Sequence, residues 1–170
     1  GKVEQTGVYK SGKPDGEWNW HFNLGKLLRK EFYEKGREEG LMQEYDESGR
    51  LVAEGNYILG LRDGKWKFDS GNYFSEGEYI DGRETGKWKG SFSSGKTAFE
   101  GSYMDGFENG EHRYYYDNGK IKEVRNYKLG IPDGEWRSYD ITGELILTTT
   151  FLAGEEIRFD GTKIDSAKKK

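Results

Sequence analysis

The sequence predicts an all-β protein: a single-layer, elongated and twisted antiparallel β-meander built of tandem hairpins, each about 24 residues long. Three observations predict it. A skeleton of tyrosine, glycine at +3, glycine at +7 and tryptophan at +9 starts at Tyr9, Tyr57, Tyr79 and Tyr127, and again at Tyr33 and Tyr103 with Met42 and His112 in the tryptophan place. The leading aromatics Tyr9, Tyr33, Tyr57, Tyr79, Tyr103, Tyr127 and Phe151 follow one another in steps of 24, 24, 22, 24, 24 and 24 residues. No segment sustains a 3.6-residue apolar period, and glycine returns often enough to break any helix.

Composition agrees with a thin, repetitive fold. Of 170 residues only 32% are hydrophobic, yet 15% are aromatic and 26 are glycine. A disordered chain is poor in rings, so rings must carry the packing here. With so little apolar surface per residue, stability has to come from repetition rather than from one deep core. The net charge of −4, with both signs scattered, provides no basic footprint for nucleic acid. There is no cysteine, hence no disulfide framework, and no apolar run long enough for a membrane-spanning helix. The chain opens on Gly1 rather than methionine, and on that ground alone an exported location, periplasmic or cell-surface, is the expectation.

Residues 1–8 read as a lead-in strand. Each repeat then has a first turn across its +3 and +7 glycines, where Asp15-Gly16, Asp63-Gly64, Asn109-Gly110 and Asp133-Gly134 give the hairpin signal. A second turn falls at Gly25, Gly49, Gly95, Gly119 and Gly143. Between the turns lie strands of about six residues, such as Glu17–Phe22 with its rings on one side and the β-branched run Leu145–Phe151. The third repeat is two residues short, and its second-turn glycine comes early, at Gly71. A loss of two residues keeps every side chain on its own face, so a tighter turn is expected there. The repeat array is assigned to residues 1–161, ending in a degenerate repeat from Phe151, and residues 162–170 form a lysine-rich tail. Pro14 and the charged terminal segment should blunt the exposed strand edges, which favours a monomer.

The pattern Y-x-x-G-x-x-x-G-x-W-x-x-aromatic-x-x-x-G-x-L, complete at Tyr127, Gly130, Gly134, Trp136, Tyr139, Gly143 and Leu145, resembles the MORN repeat in the variant form of many bacterial proteins. The resemblance covers about residues 7–161. It implies an extended antiparallel sheet used as a protein- or lipid-binding surface, and many proteins of this variant carry the label of antitoxin component of a toxin–antitoxin pair.

Chemistry finds little foothold. Gly90–Thr97 matches the phosphate-loop pattern G-x-x-x-x-G-K-[ST], but Gly95-Lys96 occupies the second-turn place of Gly25-Lys26 and Gly119-Lys120, so nucleotide binding there is read as coincidence. His21 and His112 occupy different places in their repeats and form no ligand column; His112 reads as a packing substitute for tryptophan. Glu54, Glu76 and Glu100 recur at one strand position and read as a solvated or cross-strand-paired column. The remaining candidate is an aromatic face: Tyr9, Trp18, Tyr33, Tyr57 and Trp66, continued by Tyr79, Trp88, Tyr103, Tyr127 and Trp136. The expectation is a non-enzymatic scaffold without metal or cofactor that binds a protein partner. The alternative is a membrane-lipid or glycan surface.

Overall fold

A computed structural model describes residues 4–160 and 162–163. The chain divides into two compact bodies, one ending at Arg83 and the other beginning at Glu84. In the first body β1 (Glu4–Lys10), β2 (Lys13–His21) and β3 (Leu27–Glu34) pair in sequence. The interrupted strand β4 (Arg37–Glu38) and β5 (Gly40–Tyr45) follows, then β6 (Leu51–Ile58), β7 (Leu61–Asp69) and β8 (Tyr73–Ile80). The second body repeats the plan with β9 (Arg83–Phe92), β10 (Thr97–Met104), the interrupted β11 (Phe107–Glu108) and β12 (Gly110–Tyr115), and β13 (Ile121–Lys128). It continues through the interrupted β14 (Ile131–Pro132) and β15 (Gly134–Tyr139), β16 (Leu145–Leu152), β17 (Glu155–Phe159) and β18 (Thr162–Lys163). All these pairings are antiparallel, and the described residues include no helix. The fold is therefore an all-β meander of hairpins. Strand pairing runs to Lys163, two residues into the segment assigned to the tail; residues 164–170 lie outside the described residues.

The first turn is not where the Asp-Gly pairs placed it. The chain reverses at +2 and +3, as at Leu59-Gly60, with φ of 52° and 86°. Positive φ at both central residues defines the two-residue turn whose twist matches a hairpin. The +7 glycine sits inside the following strand instead. It takes positive φ (69° at Gly64) at a bulge where the ladder slips between Glu54 and Asn56. The full strands are accordingly longer than six residues, nine in β7.

The residue before that glycine ties one repeat to the next. Asp15 Oδ1 accepts the Lys35 backbone N–H at 3.2 Å, Glu39 Oε2 that of Leu59 at 3.0 Å, Asn109 Oδ1 that of Leu129 at 3.3 Å, and Asp133 Oδ1 that of Ala153 at 3.2 Å. Each turn glycine also donates to a carbonyl of the preceding repeat, from Gly36 to Pro14 at 2.9 Å up to Gly154 to Pro132 at 2.9 Å. Pro14 therefore works inside the ladder, paired with Tyr9, and does not guard an edge. The outermost strand of the first body is β1, exposed along its whole length.

The second turns lie where expected: Phe22 N–H to Lys26 O, Asp46 to Arg50, Phe92 to Lys96, Tyr116 to Lys120 and Asp140 to Glu144, all at 2.8 to 2.9 Å. In the short repeat a two-residue loop closes from Ser70 to Tyr73 with Gly71 at φ 91°, the tighter turn the missing residues require.

Candidate functional site

The rings form a string along one face. Within the first body Tyr9 meets Trp18 edge to face at 5.0 Å between centroids, and Trp18 meets Tyr33 at 6.0 Å; Tyr57 meets Trp66 at 5.2 Å, and Trp66 meets Tyr79 at 5.9 Å. The second body runs from Trp88 through Tyr103, His112, Tyr127 and Trp136 to Phe151 with spacings of 4.8 to 6.0 Å. Edge-to-face pairs are each worth about 0.5–1.5 kcal/mol beyond the area they bury. The tryptophan flats are occupied: Trp66 lies over Gly55, and the Arg62 guanidinium covers its ring at 4.5 Å. Of the predicted face, Trp18, Trp66, Tyr79 and Trp88 are buried, Tyr33, Tyr57, Tyr103, Tyr127 and Trp136 are half-buried, and Tyr9 is exposed.

His112 takes the tryptophan place by copying its hydrogen bond. Trp66 Nε1 donates to Asn56 O at 3.1 Å and Trp136 Nε1 to Asn126 O at 2.8 Å; His112 Nε2 lies 2.8 Å from Ser102 O, the same carbonyl one repeat position along. The Ser102 backbone N–H also lies 3.3 Å from Nε2, so this ring nitrogen meets both backbone groups of Ser102, while Nδ1 is buried without a hydrogen-bond partner among the described residues. The phosphate-loop match is strand, turn and strand. Gly90 lies in β9, the Phe92 and Gly95 N–H groups are spent within the turn, Lys96 Nζ donates to Asp117 O at 2.7 Å, and Thr97 opens β10. The carboxylates at the strand position of Glu54 face partners across the ladder: Gln43 donates to Glu54 at 2.8 Å, Lys67 is in register with Glu54 and Glu76, and Glu100 is in register with Lys89 and Arg113. No group of three or more His, Cys, Asp or Glu is placed to hold a metal among the described residues.

The place opposite the +9 ring is not uniform. In register along the ring column, Trp66 faces Gly77 and Trp88 faces Gly101, whereas Trp18 faces Glu31, His112 faces Arg125 and Trp136 faces Thr149. Glu31 is a charged residue only 3% exposed. Burying a carboxylate costs several kcal/mol unless it is paired and hydrogen-bonded. Here it is: Arg29 Nε and Nη2 reach Oε2 at 2.8 and 2.7 Å, and the Tyr33 hydroxyl donates to Oε1 at 2.6 Å. Burial, with that bond and the Glu31 charge behind it, pushes the Tyr33 phenol above its ordinary range. In the next repeat Met42 replaces the +9 ring and is itself 2% exposed. Where these two repeats meet, Trp20, Leu28, Arg29 and Glu31 of the first and Tyr33, Glu38 and Glu44 of the second line an open cavity of about 410 Å³. Arg29 Nη1 is 3.8 Å from Glu44, and Glu38 has no side-chain hydrogen bond or ion pair among the described residues. No residue of this cluster except Tyr33 stood among the predicted site residues. The available signal was a glutamate, Glu31, in the place that Gly7, Gly55, Gly77 and Gly101 fill in other repeats.

A family model described as MORN repeat variant matches residues 38–58 and 108–129. Both segments start at the same place in the repeat, Glu38 and Glu108, and run across the second turn into the next leading aromatic. MORN repeats are generally protein- or membrane-binding modules. No curated protein matches the chain.

Proposed function

We propose that the chain is a non-enzymatic repeat scaffold that binds a protein partner, with the cavity between the Tyr9 and Tyr33 repeats as the point of contact. One observation carries this reading. Between the Tyr9 and Tyr33 repeats the ladder leaves an open cavity lined by Trp20, Leu28, Arg29, Glu31, Tyr33, Glu38 and Glu44, and a paired carboxylate only 3% exposed stands in its wall. A scaffold gains nothing in stability from a buried ion pair that an apolar residue would replace, so such a pair is better explained by recognition. An antitoxin role would be one form of this reading, the partner being the protein neutralised. Affinity capture from the native lysate tests it: a discrete protein retained by the native chain and lost with Trp20→Ala is the expected result. Equal retention, or none, contradicts it.

A second reading, membrane contact, is favoured by the hairpin tips of the second body. Met104, Phe107, Leu129, Ile131 and Leu152 are all about half exposed or more. Leu129 is also held at φ 49°, a conformation costly for leucine. Flotation with anionic liposomes checks it: co-flotation weakened by Phe107→Asp and Ile131→Asp supports lipid contact, and its absence removes the reading.

A further inference from the structure

The repeat from Tyr57 shows what its neighbour lacks. There the +5, +9 and +11 residues are Arg62, Trp66 and Phe68, and the Arg62 guanidinium lies 4.5 Å from the Trp66 ring centroid and 5.3 Å from that of Phe68. It also reaches the Tyr79 hydroxyl with a hydrogen bond of 3.2 Å. In the repeat from Tyr33 the same three places hold Glu38, Met42 and Glu44. Arginine at +5 is particular to the Tyr57 repeat; here the +5 and +11 residues are both carboxylates and both line the cavity of about 410 Å³.

The charges lining it do not cancel. Arg29 is committed to Glu31 through two nitrogens at 2.7 and 2.8 Å, and its third lies 3.8 Å from Glu44. Setting Arg29 against Glu31 leaves Glu38 and Glu44 in excess in a cavity that Trp20, Leu28 and Tyr33 also line. A partly desolvated place with two carboxylates and an indole wall favours a cation, and a planar guanidinium satisfies both kinds of surface at once.

We propose that this cavity receives an arginine side chain presented by the partner protein, its guanidinium seated between Glu38 and Glu44 and against Trp20. The inference rests on the protein-binding reading and adds the chemistry of the contact. Lysine fits the charge but forgoes the bidentate geometry, so it ranks below arginine. Association should weaken with salt, as expected for half-buried carboxylates still open to solvent.

The test is an NMR titration of the intact chain with N-acetyl-arginine amide, using N-acetyl-citrulline amide as the neutral isostere. The expected result is saturable shifts of the Trp20 indole N–H and Leu28 methyl signals with the arginine probe, and no saturation with citrulline. Glu38→Gln with Glu44→Gln should weaken the arginine probe at least tenfold; the unchanged Trp66 indole signal reports that the fold survives. Equal shifts with citrulline, no saturation, or unaltered affinity of the double variant each overturn the proposal. The two readings fail separately. A captured partner that binds the double variant as well as the native chain removes the arginine pocket and leaves protein binding standing; a probe that saturates while no partner is ever captured does the reverse.

Discussion

The indole of Trp66 lies directly on the backbone of Gly55: a Cβ built on that glycine would come within 2.2 Å of Trp66 Cδ2. Gly7 stands in the same relation to Trp18, at 2.1 Å, and Gly101 to His112, at 2.6 Å from Nδ1. These glycines are needed for close approach and not for turning, because they lie in ordinary extended strands. Gly64 has the opposite reason: its φ is 69° and nothing lies within 4 Å of a built Cβ. Gly55→Ala should therefore cost about 2–3 kcal/mol through overpacking, and Gly64→Ala about 1 kcal/mol through backbone strain alone. Urea unfolding of the two variants checks the order.

Leu59 offers a gain instead. It stands first in a two-residue turn at φ 52° and is 63% exposed, so its side chain does little for packing. Asparagine tolerates that conformation far better. Leu59→Asn should raise stability by about 0.5–1 kcal/mol, read as a higher urea midpoint.

The buried pair at the cavity should show coupling. Glu31→Gln leaves the Arg29 guanidinium short of its carboxylate and should cost about 2–3 kcal/mol. Arg29→Met leaves Glu31 with only the Tyr33 hydroxyl and should cost a similar amount. The double variant should lose clearly less than the sum of the two, as neighbours in one network do. Additive losses in a denaturation cycle would mean that the pair is not a unit.

Acid should loosen the second turns. Asp46 is held below its usual range by the Ser48 hydroxyl, at 2.5 Å, then by the Arg50 backbone N–H. Asp140 is held low by the Thr142 hydroxyl at 2.7 Å, then by the Glu144 N–H. A carboxylate whose folded value lies below its unfolded one stabilises at pH values above the unfolded value, near 4, and loses that contribution as pH falls through the folded value. Asp46→Asn and Asp140→Asn should accordingly lower the thermal midpoint at pH 7 and have progressively less effect as the pH falls below about 4.

Much of this fold was legible because a repeat states its rules several times over. Leading aromatics at a fixed step, paired with a +9 ring, located the hairpins, the short third repeat and the packing role of His112. The first turn was misplaced for a physical reason. Leu59-Gly60 and Asp63-Gly64 both contain a glycine at positive φ, and the strong turn signal of Asp-Gly outweighed a leucine that turns only under strain. Nothing local shows that the side chain of the +6 residue, Asp15 for example, serves the next turn twenty residues on. The cavity was hidden for a related reason. The repeat pattern directs attention to its tyrosines and tryptophans, which the lattice largely consumes, while Glu31, Glu38 and Glu44 are unremarkable until the register brings them together around Arg29.

Photo-crosslinking gives the most direct measurement. Benzoylphenylalanine at Trp20, on the cavity wall, is compared in the native lysate with the same probe at Lys65 on the opposite sheet face. A discrete protein adduct from position 20, competed away by N-acetyl-arginine amide and absent from position 65, is the predicted result. Adducts from both positions alike, or from position 65 alone, would show that the cavity between the Tyr9 and Tyr33 repeats is not where this scaffold meets its partner.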